Sequence, residues 1–165
     1  MKAVLDASPI IAFFAEMREP GLFILLRELG YDFLVPETVF RGDITKEPSR
    51  SGLAQYVASG TITVLPSADP PVLQAFMDSH PSLGQGESEV ILAVAELVTR
   101  SEEAICIIDE GPARHIANRL GLRVIGTLGI LRMLEAAGLI TGEDMARLKG
   151  RLRAAGFRAD ASLLS

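Results

Sequence analysis

Five short apolar runs recur along the chain: residues 2–5, Phe33-Leu34-Val35, Thr61-Ile62-Thr63-Val64-Leu65, Ala104-Ile105-Cys106-Ile107-Ile108 and Leu122-Arg123-Val124-Ile125. Each is bounded by turn residues and too short for a helix, so each predicts a strand. Between them the apolar positions recur at helical spacing. That spacing predicts helices over about 9–16 and 20–29, then from Glu37, over 52–59, 71–79, 87–100, 112–120, 127–137 and 142–155. Gly30 and Gly60 stand where helix-ending glycines are expected. Residues 45–52 read as a loop, and residues 156–165 as a short tail. Alternation of strand and helix from end to end predicts a parallel sheet with helices on both faces.

Two of the apolar runs stop at an acid. Val4-Leu5 meets Asp6, and Ile107-Ile108 meets Asp109-Glu110. In an open parallel sheet the carboxyl ends of the strands form the binding edge, so both carboxylates are placed there. Ser8 followed by Pro9 suffices to open the first helix, which leaves Asp6 without a capping task. Asp109 lies somewhat too far upstream to cap the helix expected from Pro112, and Glu110 either joins the site or points to solvent. A third acidic group sits in Gly84-Gln85-Gly86-Glu87-Ser88-Glu89. Glu87 shares a helical stripe with Val90, Ile91 and Val94 and is expected to point inward. Glu89, roughly 200° round the helix, is expected to lie off that stripe.

Composition narrows the chemistry. With 165 residues and 48% hydrophobic content, one domain with a sizeable core is expected, and no run approaches a membrane span. The N-terminus is not patterned as a signal peptide, and the lone Cys106 lies in a strand, which together suit a cytoplasmic protein. The net charge of −5 opposes non-specific coating of nucleic acid. Arginines nevertheless crowd the C-terminal third, from Arg114 and Arg119 to Arg147, Arg151, Arg153 and Arg158, as phosphate contacts or as a solvated helix face. Several carboxylates sharing a pocket repel one another, and Mg²⁺ or Mn²⁺ relieves that repulsion. The two histidines, His80 and His115, have no partner at zinc-ligand spacing.

Taken together, Val4-Leu5-Asp6-Ala7-Ser8-Pro9-Ile10-Ile11, Leu83-Gly84-Gln85-Gly86-Glu87-Ser88-Glu89, Ile107-Ile108-Asp109-Glu110 with Ala113-Arg114, and Leu120 to Leu131 with Gly138-Leu139-Ile140 resemble a PIN domain, close to the VapC-type toxins of prokaryotic toxin–antitoxin pairs. The resemblance covers nearly the whole chain, with residues 1–155 as the domain. It implies a three-layer α/β/α sandwich on a five-stranded parallel sheet of order 3-2-1-4-5, and a Mg²⁺- or Mn²⁺-dependent ribonuclease. It also implies a homodimer and a small antitoxin partner, for which Phe13, Phe14, Phe23 and Phe40 are candidates as a groove and better candidates as core. Carried over residue by residue, Asp6 matches the first family acid, Glu87 the third, and Asp109 or Glu110 the last.

One family position is altered. The second acid belongs in a Pro-x-x-Val-x-x-Glu pattern, and Pro36-Glu37-Thr38-Val39-Phe40-Arg41-Gly42-Asp43 puts glycine there, with the acid one residue later. Asp43 substitutes if the helix loosens at Gly42. The expected catalytic set is therefore Asp6, Asp43, Glu87 and Asp109, with Glu110 as a further metal ligand. Ser8 and Thr127 are expected to support this set from behind, and Arg114 and Arg119 to hold RNA. Without the second acid, the alternative is an inert PIN-like module that binds RNA or a protein. A phosphate-accepting receiver domain would need a lysine after the last strand, and Lys2, Lys46 and Lys149 do not provide one.

Overall fold

A computed structural model describes residues 1–157 of the chain. In β1 (Lys2–Leu5), alternation sends Ala3 and Leu5 to one face of the sheet and Val4 to the other. The same split occurs in β2 (Asp32–Pro36), where Phe33 and Val35 oppose Leu34, and in β4 (Ala104–Ile107), where Ile105 and Ile107 oppose Ala104 and Cys106. Both faces are therefore apolar, as a sheet covered on both sides requires. With β3 (Ile62–Leu65) and β5 (Val124–Ile125), the five strands pair in parallel in the order 3-2-1-4-5.

One face carries α1 (Ala7–Ile11), α2 (Leu22–Glu28), α3 (Ser49–Ala58), α7 (Thr127–Ala136) and α8 (Gly142–Ala154). Its centre is aromatic: the Phe13 and Phe23 rings lie 4.5 Å apart, Phe33 meets Phe23 edge-on at 5.0 Å, and Tyr56 meets Phe14 at 5.1 Å. Phe13, Phe14 and Phe23 are thus core residues and line no groove, while Phe40 is half-buried against them. The other face is covered by α5 (Gln85–Thr99), through Val90, Ile91, Val94 and Leu97, and by α6 (Gly111–Arg119), through Ala113 and Ala117. Helix α4 (Pro70–Ser79) packs beside α5.

Two segments depart from the helical expectation in the same way. Residues Ala12–Glu16 continue α1 as a π-helical turn, in which the Met17 N–H reaches the Ala12 carbonyl at 2.7 Å. Residues Val39–Asp43 form a second, closed by Ile44 N–H on the Val39 carbonyl at 3.0 Å. Each i→i+5 bond accommodates one more residue per turn than an α-helix. Elsewhere the differences are at element ends. The loop expected over 45–52 is shorter, because α3 begins at Ser49, and the last strand contracts from four residues to Val124–Ile125. Of the expected tail, Gly156 and Phe157 are described and Phe157 packs on the core. The remainder, including Arg158, lies outside the described residues.

Candidate metal centre

Strands β1 and β4 are neighbours with Leu5 opposite Ile107, so the residues that follow them emerge at the same edge. Asp6 takes the position preceding α1, and its backbone N–H is held by the Ile107 carbonyl at 3.1 Å. The helix therefore starts two residues earlier than Ser8-Pro9 suggests: Ser8 is its second residue and Pro9 its third. Asp6 is 5% exposed. Burial is the main reason its carboxyl is pushed up to about 7. The Ala7 amide opposes that rise, and the charges of Glu87, Asp43 and Glu110 add to it.

Asp6 opens onto a cavity of about 790 Å³ whose acidic walls are Glu16, Asp43, Glu87 and Glu110. Asp43 reaches it because the π turn advances the chain by the one residue that the sequence displaces. Gly86 completes the fit: a Cβ there would stand 2.3 Å from Asp43 Oδ2 and 3.1 Å from Val39 Cγ2. Glu87 sits in the first turn of α5, where its Oε2 accepts the Gly84 N–H at 2.9 Å. Its carboxyl is raised mainly by burial, against the bond from Gly84 and with the help of nearby Glu110. Burial also raises Asp43.

Asp109 is placed differently. Its Oδ1 accepts the Thr127 N–H and its Oδ2 the Thr127 hydroxyl, both at 2.7 Å, and Ser8 Oγ donates to Oδ2 at 3.4 Å. Gly126 occupies the capping position of α7, so Asp109 supplies from across the sheet edge the side-chain acceptor that glycine lacks. Burial raises its carboxyl, while Thr127, Ser8 and Arg114 pull it back. Asp109 lines a second cavity of about 330 Å³ that shares Ser8, Glu16 and Glu110 with the first. Of the two adjacent acids, Glu110 lines both cavities and Asp109 the smaller one.

Arg114 donates to the Ile108 carbonyl at 2.9 Å, beneath the site, and lines neither cavity. Arg119 closes α6 at the end opposite the acids. Arg147 and Arg151 are occupied by Glu19, at 2.8 and 3.3 Å, and Arg151 also holds the Met17 carbonyl at 2.6 Å.

Two acids differ from their expected placement. Glu89 is 2% exposed rather than off the buried stripe, because α5 starts at Gln85 and the turn after β2 covers its first residues. Its Oε1 accepts from Thr38 Oγ1 at 2.9 Å and Gln85 Nε2 at 3.4 Å, tying the Asp43 segment to the Glu87 helix. Glu16 was absent from the expected site altogether. In sequence it belongs to a charged stretch, Glu16-Met17-Arg18-Glu19, that reads as a helix end, and the π turn that aims it inward leaves no mark in the pattern.

Among the described residues, no three His, Cys, Asp or Glu side chains close into a ready-made metal cage. The acids instead surround an open cavity. Its donors are carboxylate oxygens, the set that suits Mg²⁺ or Mn²⁺, and several are held in proton-retaining surroundings that a cation would reverse. The donor set fits such an ion. Among the described residues, no helix is long and apolar enough to cross a membrane.

No curated protein matches the chain. The family model DUF3368, described as PIN domain, matches residues 2–165. With that match spanning the sheet and every acid of the site, the chain belongs to the PIN-domain family, whose members are generally nucleases.

Proposed function

We propose that the protein is an endoribonuclease that uses Mg²⁺ or Mn²⁺ to hydrolyse RNA phosphodiester bonds, as the toxin of a toxin–antitoxin pair. The observation that carries the reading is Asp6. It is a buried carboxylate at a central strand end, facing four other acids across an open cavity, with its carboxyl pushed up to about 7. A protein that needed this residue only for stability would gain nothing from that arrangement.

Asp6, Asp43 and Glu87, with Glu110 at the mouth, would hold the ion, and Asp109 would take part from the adjoining cavity. When bound, the ion supplies a water of lowered pKa and neutralises charge on phosphate oxygens. The chain's own residues do the rest. Thr127 and Ser8 fix the Asp109 carboxylate. Gly84 N–H fixes Glu87, and Gly86 leaves the space that Asp43 occupies. In the ion-free protein burial raises the Asp6 carboxyl to about 7, a rise that a bound cation would reverse. The RNA substrate, a homodimer and a small antitoxin follow from the family resemblance.

The rival is an inert PIN-like module, suggested by glycine at position 42. The π turn that brings Asp43 to the cavity favours the nuclease. The test is cleavage of labelled single-stranded RNA with and without Mg²⁺. The nuclease reading expects cleavage that requires the metal and falls at least 100-fold in Asp6→Asn, with the circular dichroism spectrum unchanged. Equal cleavage by Asp6→Asn, or none by the wild type with either metal, would overturn it.

A further inference from the structure

Two side-chain oxygens among the described residues are buried without any hydrogen-bond partner: Glu16 Oε2 and Glu89 Oε2. Both are carboxylate oxygens, and such orphans are rare in folded proteins. Glu89 offsets part of its cost through Thr38 and Gln85 on its other oxygen. Among the described residues no hydrogen bond compensates Glu16 in this way, and it faces the charge of Asp109.

The position of Glu16 is built rather than incidental. It ends the π turn that follows α1, and the next residue is pinned on both sides: Met17 N–H to Ala12 and the Met17 carbonyl to Arg151. Among the described residues, Arg147 and Arg151 bond to Glu19 and Met17 and not to Glu16. Together with Ser8 and Glu110, Glu16 forms the wall common to both cavities, between Asp6 on one side and Asp109 on the other. Among the described residues no cation bonds to Glu16, and a carboxylate held between two groups of acids carries a cost that a cation relieves while keeping it charged.

We infer that Glu16 is a further cation-holding residue of this site, joining the Asp6 cavity to the Asp109 cavity around a divalent ion. The inference rests on the metal-dependent reading above and adds a residue from outside the four matched family positions. Replacing Glu16 by the isosteric glutamine removes the charge and keeps the volume.

The test is calorimetric titration of the full chain with Mn²⁺, for wild type, Glu16→Gln, Asp6→Asn and the exposed control Glu28→Gln, together with melting of each in EDTA. Glu16→Gln is expected to weaken Mn²⁺ at least tenfold while melting, metal-free, at or above the wild-type temperature. Glu28→Gln is expected to match the wild type in both. Wild-type affinity in Glu16→Gln, alongside a loss in Asp6→Asn, would overturn the inference and leave the metal-dependent reading standing. A metal-free Glu16→Gln that melts several degrees lower would also overturn it, since the charge would then be serving the fold. A wild type that takes up no Mn²⁺ at millimolar concentration would overturn both.

Discussion

Asp6 and Asp109 end adjacent strands, yet their surroundings are opposite. Both oxygens of Asp109 are occupied, by an amide and two hydroxyls, and Arg114 lies close to its charge. Asp6 is more deeply buried and faces Asp43, Glu87 and Glu110. One carboxylate is fixed in place by the cap it gives α7, whereas the other is a buried charge facing further acids across a cavity. Placement at a strand end therefore marks a candidate, and the partners of its oxygens separate a carboxylate held in place by the fold from one whose charge the fold leaves uncompensated.

The largest effect that would break this contrast is in the pH dependence of the metal-free protein. Asp6 has a carboxyl raised from 3.8 to about 7, so the folded state binds its proton more tightly than the unfolded chain does. Below about pH 4 both states are protonated and Asp6 costs nothing. As the pH rises from about 4 to 7 the unfolded chain ionises first, and stability falls until the whole cost is present above pH 7. The upper limit is on the order of 4 kcal/mol. Urea unfolding in EDTA should therefore give a higher midpoint at pH 5.5 than at pH 8, and Asp6→Asn should flatten that difference.

Next in size is Asp109→Ala. It leaves the Thr127 N–H and hydroxyl without their acceptor, and a loss of about 3 kcal/mol is expected, seen as a fall of roughly 6–12 °C in melting temperature. If Asp109→Ala instead stabilises the metal-free protein, the two aspartates are alike and the contrast fails. The smallest change in stability is expected from Gly86→Ala. Its new methyl group meets the Asp43 carboxylate and Val39 at a cost of about 1 kcal/mol, and it displaces Asp43 from the cavity. Mn²⁺ affinity should drop well beyond what that cost suggests, and an unchanged affinity would show that Asp43 takes no part.

The strands and the strand-end acids were legible because buried parallel strands leave short apolar runs and turns leave glycines, while the strand order was carried by the family resemblance. The third acid, Glu87, was readable from helical phase, but the same phase argument misplaced Glu89. It treated α5 as covered on one side only, whereas the Thr38 turn covers its start as well. Both π turns were beyond pattern reading, since one extra residue in a turn changes no residue type. That insertion decides the reach of Asp43, for which loosening at Gly42 had been the condition, and the presence of Glu16. Ser8 illustrates a smaller limit: a hydroxyl before proline signals a helix start to within a residue or two, and the start fell at Ala7.

The most direct test of the account is the shift in melting temperature that Mn²⁺ produces at pH 8 in the wild type and in Asp6→Asn. The account predicts that metal-free Asp6→Asn melts higher than metal-free wild type, because the cost of burying a charge among other acids is gone. It predicts that Mn²⁺ raises the wild type by several degrees and leaves Asp6→Asn nearly unmoved. An equal rise in both proteins, or a metal-free Asp6→Asn that melts lower than the wild type, would contradict it.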